Sequence, residues 1–124
     1  MIDHVGLEAR DYLRSKDFYL AALTPLGIEL MLEFEGRIGG FGRDRKPFFW
    51  LRQGEPGAGI HVAFAAPDTA TVEAFYAAAI GAGADDNGPP GLRTHYHPGY
   101  YGAYVRDLDG NNVEAVFHDR TETR

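Results

Sequence analysis

Polar and apolar positions divide the chain into two passes of one order. Ile2 to Ala9 alternates, with Val5 and Leu7 on one face and Ile2, His4, Gly6 and Glu8 on the other, the period-two pattern of a strand. Phe18, Tyr19, Ala22, Leu23 and Leu26 then recur at helical spacing, with Asp11 or Ser15 to cap the helix and Thr24-Pro25 and Gly27 to end it. Ile28 to Phe34 reads as a strand. Gly36, Gly39, Gly40 and Gly42 predict a short irregular strand or a mobile loop, followed by a charged turn, Arg43 to Lys46. Phe48-Phe49-Trp50-Leu51 predicts a strand buried on both faces or lining a pocket.

The order then repeats. Ile60, Val62 and Phe64 alternate with His61, Ala63 and Ala65, and Pro67-Asp68-Thr69 opens a helix whose stripe is Val72, Phe75, Tyr76, Ala79 and Ile80. Asp85 to Gly91 reads as a loop, and Leu92 to His97 and Tyr100 to Arg106 as strands. Asp109-Gly110 turns the chain into a last strand, Val113 to Phe117, because a hairpin turn needs residues that tolerate positive φ. The period is about 58 residues, from His4 to His61. The predicted organisation is one α+β domain of two βαβββ modules, with helices on the outer face of a partly open mixed sheet. Module one covers 1–53, a linker 54–58, module two 59–118 and a polar tail 119–124.

Composition narrows the function classes. At 124 residues the chain can bury a real core. A net charge of −6 argues against a general nucleic-acid binder. No apolar run approaches a membrane span, and Met1-Ile2-Asp3-His4 does not open a signal peptide. The absence of Cys removes disulfides, thiolate nucleophiles and Cys-zinc sites, and fits a cytoplasmic location.

Side-chain parity brings out a candidate site. The apolar sets of the two opening strands face the helices, so His4 and His61 face away from them. Val113, Ala115 and Phe117 share one face of the last strand, which puts Glu114 on the other with Asn112, Val116 and His118. A mid-strand carboxylate must be solvated, paired or metal-bound. Two His and one carboxylate suit an open Fe(II) or Mn(II) site, and also zinc. Asp107-Leu108-Asp109-Gly110 lacks the ligand spacing of an EF-hand calcium loop.

Asp3-His4-Val5, Ser15-x-x-Phe18-Tyr19, Ile60-His61-Val62-Ala63-Phe64 and Asp107-x-Asp109-Gly110-Asn111-x-x-Glu114 together resemble the vicinal oxygen chelate superfamily of glyoxalases, extradiol dioxygenases, fosfomycin-resistance enzymes and bleomycin-resistance proteins. The resemblance covers nearly the whole chain. It implies paired modules forming a cup around a divalent ion (Fe, Mn, Zn or Ni), with His4, His61 and Glu114 as ligands. It also implies a homodimer in which modules of two chains combine. Glyoxalase I enzymes add a Glu or Gln ligand from the last strand of module one. Trp50 stands at that position here, which points to a three-ligand set holding adjacent oxygens of a small substrate.

Other candidates surround this set. His95 and His97, read on one strand face, could bind metal or, with His97 and Tyr101 named as catalytic, transfer protons. Phe48, Trp50, Arg93 and His95 are candidate substrate-binding residues, with Tyr101 as a pocket wall; Arg93 and Arg106 could meet a phosphonate. Two functions follow: a metal-dependent enzyme of lyase, dioxygenase or ring- or epoxide-opening type, or a metal-free small-molecule binding protein of the bleomycin-resistance type.

Overall fold

The computed structural model describes residues 1–57 and 59–120; Ala58 of the expected linker and 121–124 of the expected tail lie outside them. The chain folds into two mixed, open sheets with two helices, an α+β architecture. In the first module β1 (Val5–Ala9) leads through α1 (Tyr12–Leu23) to β2 (Glu29–Phe34), β3 (Ile38–Arg43) and β4 (Lys46–Gln53), in the sheet order β1-β4-β3-β2. In the second, β5 (His61–Ala65) leads through α2 (Thr69–Gly81) to β6 (Asp85–Asp86), β7 (Gly91–Leu92), β8 (Tyr100–Arg106) and β9 (Asn112–His118). The second order is β5-β9-β8-β6, with β7 also paired to β8. In both modules the opening strand pairs parallel with the closing one, β1 with β4 and β5 with β9.

Local chemistry sets the boundaries. Asp11 caps α1 by accepting from the Arg14 N–H at 3.2 Å, and Asp68 caps α2 by accepting from the Thr71 N–H at 2.8 Å. Ser15 is instead buried, its hydroxyl 3.4 Å from Asp109 Oδ2. A 3-10 turn, Thr24–Leu26, follows α1 and ends at Gly27, whose φ of 75° is the left-handed stop a glycine takes without strain. Asp44 and Arg45 form the charged turn between β3 and β4, with Arg43 paired to Lys46.

Of the two alternatives for the glycine-rich stretch the structure takes the strand, β3, whose pairing shifts register against both neighbours, between Leu30 and Leu32 and between Phe41 and Gly42. A Cβ at Gly39 would meet the Tyr12 hydroxyl at 2.5 Å, and one at Gly40 would meet the Trp50 ring at 2.8 Å. These glycines therefore admit large neighbours rather than loosening the strand. Conversely, the strand expected over Leu92 to His97 shrinks to Gly91–Leu92. The Tyr96 N–H closes a turn on the Arg93 carbonyl at 3.0 Å, and Pro98 has no N–H to continue a ladder. The third strand of module two is thus two short pieces, β6 and β7, laid along β8.

One core joins the modules. Tyr19 packs on Phe18 and Phe49 with ring centroids 4.9 and 4.8 Å apart, and Phe49 meets Phe64 of β5 at 5.4 Å. Tyr19 also donates to Asp107, whose other carboxylate oxygen accepts from the backbone N–H groups of Asp109 and Asn111, each at 2.9 Å. The loop between β8 and β9 is therefore pinned to α1. Phe49, Leu51, Phe64, Ala103, Val105, Val113 and Ala115 all belong to this core, so the helix-side faces of both sheets are filled. Among the described residues no helix is long and apolar enough to cross a membrane.

Candidate functional site

The sheet faces opposite the core carry the polar residues. On the second sheet the parallel pairing of β5 with β9 sets His61 against Asn112 and Ala63 against Glu114, while antiparallel β8 sets Tyr104 directly opposite Glu114. Directly opposed residues of an antiparallel pair share a face. Tyr100, Gly102 and Tyr104 thus accompany Glu114, whereas Tyr101, Ala103 and Val105 face the helix.

Glu114 is 1% exposed. Its Oε1 accepts from His61 Nε2 at 2.8 Å and its Oε2 accepts from the Tyr100 hydroxyl. The solvated alternative is thereby excluded: the carboxylate is buried and paired. Gly102 makes this close approach fit, since a Cβ there would lie 3.2 Å from the Tyr100 ring and 3.5 Å from Glu114 Oε2. Burial, reinforced by the bond to Glu114, raises the Tyr100 pKa far above that of a free phenol, so it donates and does not ionise at neutral pH. The His61 side chain is 55% exposed, so the pair has a buried and an open end. Arg93 lies over the Tyr104 ring at 5.2 Å, on the same side.

The first sheet presents a second polar face. His4, Gly6, Glu8, Ile38, Trp50 and Arg52 line an open cleft of about 500 Å³. Phe48 lines a neighbouring cleft between the modules, with His4, Val62 and Phe64. His4 Nδ1 lies 2.8 Å from Asp3 Oδ1, which also takes the Lys46 ammonium at 2.7 Å. Among the described residues Nε2 of His4 has no hydrogen-bond partner.

The chain therefore brings His61 and Glu114 together, but not His4. Among the described residues no three His, Asp or Glu side chains converge within one chain. His61 and Glu114 fit a divalent ion by donor chemistry and spacing. Two donors about 2.1 Å from one ion, at a right angle, lie about 3 Å apart, close to the 2.8 Å found.

The remaining expectations need correction. Tyr101 does not face Glu114. Its hydroxyl donates to Glu73 of α2 at 2.6 Å, because odd positions of β8 turn to the helix side. Tyr100, one residue earlier, holds the place assigned to it. His95 and His97 do not share a strand face, because the chain turns at 94–96. The His95 ring lies tilted against Tyr96 with centroids 4.1 Å apart, and His97 pairs with His118, Nε2 to Nδ1, at 2.9 Å. The Gly99 N–H donates to His97 Nδ1, so His97 carries its proton on Nε2 and donates it to His118. Both ring nitrogens are engaged, which leaves His97 no free acceptor for general base work. Parity on β8 held the signal for Tyr100; the His97–His118 pair had no local signal.

The architecture, with paired βαβββ-like modules and a His–Glu pair on the open face, has recognisable relatives. The family model described as Glyoxalase/Bleomycin resistance protein/Dioxygenase superfamily matches residues 1–115, and the chain belongs to that superfamily. A glyoxalase/bleomycin resistance protein from Albidiferax ferrireducens T118 is 33% identical over 95% of this chain and 99% of its own, with a TM-score of 0.84. TioX from Micromonospora sp. ML1 (23% identity, 95% and 98% coverage, TM-score 0.72) and lactoylglutathione lyase from Agrobacterium tumefaciens (22%, 100% and 98%, 0.69) share the fold. No curated protein matches the chain.

Proposed function

We propose that the protein is a metal-dependent enzyme that acts as a homodimer. His4 of one chain would join His61 and Glu114 of the second copy around a divalent ion (Fe, Mn, Zn or Ni). The observation that carries this reading is the buried Glu114 bridged to His61 at 2.8 Å on an otherwise open face. A carboxylate withdrawn from water is costly unless a charge or several donors satisfy it. His4 immediately precedes β1 of the other sheet and lines its open cleft, so a second copy can supply what one chain keeps apart.

A bound ion would act as a Lewis acid toward two adjacent oxygens of a small substrate. The protein's own residues do the rest. Tyr100 holds Glu114 Oε2, which leaves Oε1, beside His61, as the oxygen that would hold an ion. Tyr104 and Arg93 bound the open end beside His61, and the Arg93 guanidinium can donate hydrogen bonds to substrate oxygens there. Trp50 replaces the donor that a fourth protein ligand would need, so coordination positions stay open to substrate. That favours dioxygenase or ring- or epoxide-opening chemistry over a glyoxalase I reaction.

A second reading is a metal-free binding protein of the bleomycin-resistance type. It is favoured by the complete satisfaction of buried polar atoms among the described residues, Glu114 included, without any ion. Elemental analysis of protein purified without a polyhistidine tag separates the two. The enzyme reading expects about one divalent ion per chain, lost in Glu114→Ala. Ligand binding unchanged by chelation, with no ion taken up on titration, would establish the binding-protein reading instead.

A further inference from the structure

We propose that the cleft of the first sheet binds the planar, anionic part of a ligand, with an aromatic ring against Trp50 and a carboxylate on Arg52. This deepens the function proposed above and rests on it only for the ligand's other, oxygen-bearing end.

The argument begins with the strands. The parallel register sets Gly6 opposite Trp50 and Glu8 opposite Arg52, and His4 precedes Gly6 by two residues on the same face. Same-face positions along a strand are about 6.6 Å apart, so Trp50 lies one step from the His4 row and Arg52 two steps, roughly 13 Å. The cleft is therefore a graded slot, with an imidazole at one end, an indole in the middle and a guanidinium at the far end.

Each position is kept clear by a small neighbour. Trp50 pairs with Gly6 on one side and Gly40 on the other. Its six-membered ring occupies the space that a side chain at Gly40 would fill, because a Cβ there would lie 2.8 Å from two ring atoms. The indole thus lies over β3 at half-burial, with no side chain at position 6 to cover it from the β1 side. Gly54 does the same for Glu8: a Cβ there would lie 2.2 Å from Glu8 Oε1. Glu8 is thereby turned toward the chain end of β4 and makes no ion pair with Arg52, its neighbour in register. Among the described residues the Arg52 side chain has no hydrogen-bond or ion-pair partner. An unpaired guanidinium beside an open aromatic surface suits a carboxylate, which it can bind through two parallel N–H groups.

The ligand class we infer from these steps is a flat ring system of one or two rings ending in a carboxylate. Trp50 is the only tryptophan of the chain, so its emission reports on this slot alone.

The test titrates the full-length, untagged protein with 2-naphthoate, its neutral analogue 2-naphthamide, and cyclohexanecarboxylate, by calorimetry and by Trp50 emission lifetime. The protein is first freed of divalent ions with a chelator, because the carboxylate probes could otherwise bind through a metal, and residual metal content is measured separately. 2-Naphthoate should bind and shorten the lifetime, with the other two at least about tenfold weaker. Arg52→Gln should weaken 2-naphthoate about tenfold and leave 2-naphthamide unchanged. Trp50→Leu, with Trp50→Phe as the better-packed control, should remove the preference for 2-naphthoate over cyclohexanecarboxylate. No binding of 2-naphthoate, an unaltered lifetime at saturation, or full affinity in Arg52→Gln would each overturn the inference, whatever the metal analysis gives.

Discussion

Glu114 shows how much one buried charge can organise. Its two oxygens have different partners, His61 and Tyr100, and the second fixes the carboxylate plane. Removing the Tyr100 hydroxyl would leave a buried oxygen without a donor, at a cost of about 1–3 kcal/mol. Tyr100→Phe should therefore lower stability by that amount in urea unfolding, and lower divalent-ion affinity by about tenfold in calorimetry. Tyr101→Phe, which removes only a hydroxyl bonded to Glu73 on the helix side, should leave ion affinity unchanged. His97 makes a separate pH prediction. Partial burial, with the nearby charges of Arg120 and His118, holds its pKa below the ordinary 6.5. Its folded-state pKa is depressed, so its contribution is complete above pH 6.5 and is lost as pH falls through the lower folded value. Thermal melts between pH 7 and 5 should show wild type losing stability more steeply than His97→Phe. Parallel curves would mean that the His97–His118 bond carries no such linkage.

At the scale of elements, the glycines of β3 decide what the strand can do. β3 lies between β2 and β4, and Gly39 and Gly40 point to opposite faces of it. The first admits Tyr12, whose hydroxyl donates to Glu33 at 2.7 Å; the second admits Trp50. Gly40→Ala should gain strand propensity yet overpack against the indole. We expect a net loss of roughly 1–3 kcal/mol and a shifted Trp50 emission maximum, read by denaturant unfolding and fluorescence. Unchanged emission would mean that the ring does not rest on this backbone. The same elements explain which strands the pattern of residues revealed. β1, β4, β5, β8 and β9 alternate or run apolar in sequence, and each forms close to its expected bounds. β3 is masked by its glycines. The segment 92–97 looked like a strand because Leu92, Tyr96 and its histidines are strand formers by type, but Pro98-Gly99 and the turn at 94–96 outweigh that preference.

For the whole molecule, the central fact is one shared core with two open sheet faces. Phe49 on Phe64 and Tyr19 on Asp107 tie the modules together on their helix sides. His4 and the His61–Glu114 pair are left on different sheets. A dimer that shares its metal sites makes a quantitative prediction. Mixing His4→Ala with Glu114→Ala chains, after denaturation and refolding, should restore about a quarter of wild-type metal content, because each mixed dimer holds one intact site. Recovery of none would exclude sharing between chains and leave an arrangement within one chain or the binding-protein reading.

Sequence alone was sufficient for whatever depends on local period. A strand repeats every two residues and a helix every 3.6, so the face of His4, His61 and Glu114 and the shared parity of Phe48 and Trp50 follow from their neighbours, as does the start of the second helix at Asp68; between Asp11 and Ser15 as cap of the first, the structure chose Asp11. On β8 it is the pairing with β9 that selects Tyr100 and Tyr104 over Tyr101, since that pairing sets which parity shares the face of Glu114. Only the tertiary structure could decide the meetings between distant segments. His61 and Glu114 lie 53 residues apart and join through parallel pairing of β5 with β9. His97 finds His118 because a turn replaces the expected strand. Separation of the two sheets, with a common core between them, keeps His4 from that pair. Register between strands and packing between modules are properties of long-range contacts, and no local pattern encodes them.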